Sequence, residues 1–100
     1  MSGRFGTIAV YITANQKNGT LYCGVTGDLG ARILSHRESR GSRFAAKHGC
    51  KRLVWYEVHE LISEAIYREK IIKKWRRQWK IDLIEAANPD WRDLWSELAE

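Results

Sequence analysis

One hundred residues, 44% hydrophobic and 29% charged with eight glycines and one proline, describe a single globular domain over residues 1–100 and exclude a disordered, collagen-like or low-complexity chain. The net charge of +5 suits a polyanionic partner, while no apolar run approaches the roughly 20 residues that span a bilayer, so no membrane partner is expected. Two cysteines, Cys23 and Cys50, do not make a disulfide framework, and the first six residues do not lead into the pattern of a signal peptide; the expectation is a chain without a secretion signal, working in the reducing cytoplasm.

Thr7 to Thr13 alternates and is rich in β-branched residues, which predicts a strand with Ile8, Val10 and Ile12 on one face and Ala9 and Tyr11 on the other. Asn15 to Gly19 is a turn cluster. A two-residue turn at Asn18-Gly19 would pair Lys17 with Thr20 and return the chain as a second strand, Thr20 to Val25. In that register Tyr11 and Tyr22 share a face, which a slip by one would undo. Asp28 is the N-cap of a helix to about Arg37, with Leu29, Arg32, Ile33 and His36 in one sector. Residues 38–51, rich in Ser, Gly and Arg, read as a basic loop. Arg52 to His59 reads as a third strand. Ile62 to about Lys74 reads as a helix with Ile62, Ala65, Ile66 and Ile72 on one side. A turn near Trp75–Gln78 precedes a helical stretch ending at Ala87. Asn88-Pro89-Asp90 then predicts a short last helix, with Asn88 as its N-cap and Pro89 at its first position. The order is ββαβα plus a helical C-terminal extension, a mixed α/β (α+β) fold.

Charge is strongly segregated. Residues 29–52 carry +6, from Arg32, Arg37, Arg40, Arg43, Lys47, Lys51 and Arg52 against Glu38. Residues 68–80 also carry +6, from Arg68, Lys70, Lys73, Lys74, Arg76, Arg77 and Lys80 against Glu69, and residues 81–100 carry −5. Arginine's planar fork donates two parallel hydrogen bonds to phosphate, so these blocks point to nucleic acid as the partner.

Within this pattern Glu69 stands out. It falls inside the apolar sector of its helix, where a carboxylate is costly unless paired or bound to a metal. A buried ion pair with Arg32 or a rim position explains it equally well. Arg32 and His36, four apart on a helix, can bind a phosphate together or can be two surface residues. Tyr11 and Tyr22 can orient or deprotonate a water, or can simply pack as a cross-strand pair. Trp75 with Trp79, and Trp91 with Trp95, read as packing of the C-terminal helices rather than base-stacking. No spacing among Cys23, Cys50, His48 and His59 matches a zinc module.

Taken together, Ala9-Val10-Tyr11, then Tyr22-Cys23-Gly24, then Arg32, His36 and Glu69 resemble the GIY-YIG endonuclease superfamily. The segment Gly19 to Thr26, with Asp28-Leu29, Ser63-Glu64-Ala65, Arg68-Glu69 and Asn88-Pro89-Asp90-Trp91, is similar to its small stand-alone bacterial branch. The resemblance covers about residues 7–80 as a core, with residues 81–100 as an extension. Ala9 and Cys23 depart from the family's Gly and Ile without removing a catalytic side chain. The resemblance implies a three-stranded antiparallel sheet flanked by helices, and hydrolysis of phosphodiester bonds in nucleic acid, DNA above all, with one divalent ion. It implies that Glu69 binds Mg²⁺ or Mn²⁺, that Tyr22 with Tyr11 positions and deprotonates the attacking water, and that Arg32 stabilises the transition state. His36 would contact phosphate or relay a proton. The roles of the two tyrosines can also be reversed. Arg37, Arg40, Arg43, Lys47 and Lys73 are expected on the nucleic-acid surface, and Asn88 matches a less regular family asparagine as well as a helix cap. No obligate protein partner is implied. The rival expectations are a nucleic-acid binding module with little or no cleavage, and a protein-interaction domain using exposed tryptophans.

Overall fold

Six consecutive buried residues mark β1, Ala9–Ala14, as the centre of the sheet. Burial of every position means that both faces of the strand are covered, so its alternation sorts side chains between two cores. The computed structural model describes residues 6–38 and 43–98. β1 pairs antiparallel with β2, Leu21–Thr26, and with β3, Arg52–Val58, giving the order β2-β1-β3. The expected three-stranded antiparallel α+β architecture is thus present.

The hairpin is looser than expected. Tyr22 pairs with Thr13 rather than Asn15, a shift of two residues. The Thr20 N–H donates to Asn15 Oδ1 (2.9 Å) and the Gly19 N–H to Gln16 O (3.0 Å), so Asn15 closes a longer loop than the two-residue turn at Asn18-Gly19. Because strand faces alternate with period two, this shift leaves Tyr11 and Tyr22 on one face, as expected.

Against β3 the register slips between Ile12 and Thr13: Ile12 faces Trp55 and Thr13 faces Leu53. Val54 is the extra residue of this bulge. It joins Val10, Ile12, Cys23, Trp55, Ala65, Ile72, Ile84 and Trp91 in one core. The opposite core holds Ala9, Tyr11, Leu29, Ile33, Leu53, Leu94 and Leu98.

Helices cover both faces. α1, Leu29–Arg37, starts at Asp28, whose carboxylate accepts from the Ala31 N–H as an N-cap should (3.2 Å). It buries Leu29, Ile33 and His36, while Arg32 is exposed. The segment expected as a basic loop contains α2, Arg43–His48. Its helix formers Phe44-Ala45-Ala46-Lys47 outweigh the flanking turn residues, and Gly49 ends it at φ 67°, a left-handed conformation that favours glycine. α3, Ile62–Lys73, covers the other face and buries Ala65, Glu69 and Ile72. Ile62 and Ile66, expected on the inward side, are exposed, because the stripe at i, i+4, i+7 faces the sheet.

α4, Arg77–Ala87, follows a short break. The last helix is α5, Trp95–Leu98, later than expected. Asn88 is not its N-cap but the C-cap of α4, because its amide is taken up by backbone groups. Asn88 Nδ2 donates to Val54 O (3.1 Å) and Arg92 O (2.9 Å), and Oδ1 accepts from the Arg92 N–H (3.0 Å). Trp91 is fully buried, its Nε1 donating to Glu85 (2.7 Å), which bears out its reading as packing; Trp79 is 47% exposed.

Candidate active site at the open edge of the sheet

β2 is an edge strand, and its successive residues Tyr22 and Cys23 point to opposite faces. On the α1 face Tyr11, Tyr22 and His36 form a ring cluster. The Tyr11 and His36 centroids lie 5.5 Å apart edge-on, Tyr22 and His36 are 5.4 Å apart, and the two tyrosines are 6.2 Å apart. The Tyr11 hydroxyl and His36 Nε2 share a hydrogen bond of 3.0 Å. His36 Nδ1 is buried with no partner among the described residues.

Gly24 makes this packing possible. A Cβ at Gly24, directly across from Tyr11, would lie 2.5 Å from the phenol oxygen and 2.6 Å from Cζ. The glycine is therefore a space requirement inside a strand.

Burial sets the protonation states. It pushes the Tyr11 phenol well above the ordinary tyrosine range, the neighbouring Tyr22 adds to the rise, and Arg32 opposes it by hydrogen bond and charge. His36 is lowered to about 4, first by burial and then by the Arg32 charge, so its imidazole is neutral at pH 7. Arg32 itself is exposed, within electrostatic reach of both.

Glu69 approaches from the α3 side. It is only 8% exposed, and its partner is neither Arg32 nor solvent but Lys73, one helical turn on, with Nζ–Oε2 2.5 Å. The Cys23 thiol is pushed up to about 11, by burial and then by the Glu69 charge, and the Lys73 ammonium is stabilised by Glu69 and further by Tyr22 and Cys23. α3 packs against β2, where Glu69 and Lys73 act electrostatically on Cys23. The phenol–imidazole cluster lies on the α1 face, and the carboxylate is carried by α3, which packs against β2.

Glu69 suits a divalent ion held by one carboxylate, since Mg²⁺ keeps most of its waters and takes the remaining oxygens from phosphate. Among the described residues no group of three His, Cys, Asp or Glu gathers to hold a metal. Cys23 and Cys50 are free thiols.

Of the expected surface cations, Arg43 and Lys47 are exposed on α2 and Lys73 is bound to Glu69. Arg37 is paired with Asp93 (2.6 Å) and lies over the Trp95 ring (5.2 Å), tying α1 to the C-terminal segment. Arg40 lies outside the described residues. Asn88 sits at β3, the opposite edge. Phe44, which sequence reasoning passed over, stacks on Tyr22 at 6.3 Å and 28°. The signal that could have found it is the helix-forming run around it.

Comparison with known proteins agrees with this geometry. The GIY-YIG catalytic domain family matches residues 7–82. The UPF0213 proteins of Staphylococcus aureus strains Mu3, Mu50 and N315 are each 37% identical over 68 residues, 68% of this chain and 83% of theirs. No solved structure matches. No helix of the described residues is long and apolar enough to cross a membrane. A match over three quarters of the chain, on a sheet that gathers both tyrosines, the histidine and the arginine, makes this chain a member of the GIY-YIG family, a domain of nuclease type.

Proposed function

We propose that the chain is a metal-dependent endonuclease that hydrolyses phosphodiester bonds in DNA. What supports this reading is a half-buried phenol on the edge strand, an exposed arginine acting on the neighbouring Tyr11, and a buried carboxylate on the helix packed against that strand. A pure binding surface has no use for a carboxylate buried beside the groups that would hold phosphate.

The two tyrosines divide the work. Tyr11 is fully buried, protonated and bonded to His36, so it is a positioning residue that fixes the wall of the site. Tyr22 is half-buried at the edge, and it takes the proton from the attacking water. Arg32 then meets the negative charge that grows on the phosphoryl oxygens. Neutral His36 holds the Tyr11 hydroxyl and offers a ring nitrogen for proton transfer. Glu69 would hold a Mg²⁺ or Mn²⁺ ion, which would supply Lewis-acid chemistry at the phosphate. Arg43 and Lys47 on α2, with Lys73, line the path of the strand.

The test is cleavage of labelled single-stranded, duplex and branched DNA with Mg²⁺, Mn²⁺ or chelator. Wild type should cut at least one substrate only with metal. Arg32→Ala and Glu69→Gln should each lose about 100- to 1,000-fold or more in kcat/KM, the cost of removing one charge-stabilising group. Salt-sensitive binding without metal-dependent cutting would favour the binding module instead.

A further inference from the structure

A row of rings leads from the buried cluster to the surface. Tyr11 meets Tyr22, Tyr22 stacks on Phe44, and Phe44 contacts His48 at 4.4 Å. Phe44 is 48% exposed although its helix is short and otherwise polar or small, and Ala45 alone in that helix is buried. An apolar ring held in place by Tyr22, yet half open to water, is unsatisfied surface at the mouth of the site. It also borders a cleft of about 540 Å³ running along the hairpin loop to Arg77 and Lys80. Arg77 Nη2 donates to Asn18 O (2.8 Å) and Gly19 O (2.6 Å), which fixes that positive charge beside the cleft. Ring and cations thus face one cavity, of the size that takes one small ligand.

We propose that Phe44 is a stacking platform for an unpaired base of the substrate strand, adjacent to the phosphate handled at Tyr22, with the neighbouring phosphate meeting Arg77 and Lys80. This rests on the nuclease reading and narrows it to DNA with an unpaired nucleotide at the cut. A base inside a duplex has both faces covered by its neighbours. Only a single-stranded or splayed base can lie on the ring.

The experiment uses the full chain carrying Glu69→Gln, with chelator, and a short single-stranded DNA containing 2-aminopurine. Binding should change the probe's fluorescence by stacking. Adding Phe44→Leu, which keeps apolar bulk but removes the ring, should weaken single-strand binding about 5- to 100-fold and abolish the fluorescence change. Affinity for blunt duplex should not move, and Phe44→Trp should restore both single-strand readouts. Unchanged single-strand binding by Phe44→Leu overturns the platform, as does equal weakening toward single strand and duplex. Stacking at Phe44 by a wild type that cuts nothing removes the nuclease reading and leaves the platform. Metal-dependent cutting that ignores Phe44 does the reverse.

Discussion

The two edges of the sheet are finished differently. The β3 edge is sewn up by the C-terminal segment: the Leu94 N–H donates to Leu53 O (2.8 Å), Asp93 Oδ1 accepts from the Leu53 N–H (3.3 Å), and Asn88 Nδ2 reaches Val54 O (3.1 Å). On the β2 side, among the described residues, such contacts gather at the hairpin end, where Arg77 and Cys50 reach the carbonyls of residues 18–20. β2 remains an edge strand, with Tyr22 half-buried on it. The hydrogen bonds that tie down the C-terminal segment lie at the β3 edge, and the proposed chemistry lies at the β2 edge.

The largest effect should come from the closed side. Trp91→Ala removes a fully buried indole and the Glu85 hydrogen bond, and should cost about 3–5 kcal/mol in urea unfolding. Cleavage by the fraction that stays folded should keep its wild-type rate. A selective loss of activity would break the division between the edges.

How far the sequence carries depends on the distance over which each feature is decided. β1, β2, the Asp28 cap and the shared face of the tyrosines follow from local alternation and capping. So does the buried stripe that contains Glu69, although its neighbours there are Ala65 and Ile72 rather than Ile62. Asn88 was misplaced because an asparagine before a proline suits either end of a helix, and only the distant Val54 carbonyl decides between them. The partner of Glu69 was within reach, since Lys73 is its i+4 neighbour. The role of Gly24 was not, because it depends on which residue lies across the ladder.

A smaller effect sharpens the open side. His36 is lowered from 6.5 to about 4, so between those values the unfolded chain binds a proton that the native chain refuses. Its contribution to stability therefore falls as pH drops through that window, by about 3 kcal/mol in all. Urea melts at pH 7, 5 and 4 should show this slope, and His36→Gln should flatten it. A slope unchanged in the variant would assign the acid sensitivity to other groups.

The smallest shift is expected at Gly24→Ala. Its methyl must displace the Tyr11 ring, at a cost of about 1–3 kcal/mol from overpacking. Cleavage should fall further than the unfolded fraction accounts for, because the ring that moves is the one hydrogen-bonded to His36. Equal losses in stability and rate would mean that Tyr11 only fills space.

An edge strand is also a template for pairing with a second copy of the same strand, the route by which folded sheets aggregate. Covering β2 would close the proposed site. Lys73 and Lys80 act electrostatically on Cys23 in that strand, and Arg77 is pinned at its hairpin end. Two such edges brought together would set these cations against each other. The charge proposed to receive a phosphate backbone would also serve solubility, and neutralising it should raise self-association as well as weaken the proposed binding of DNA.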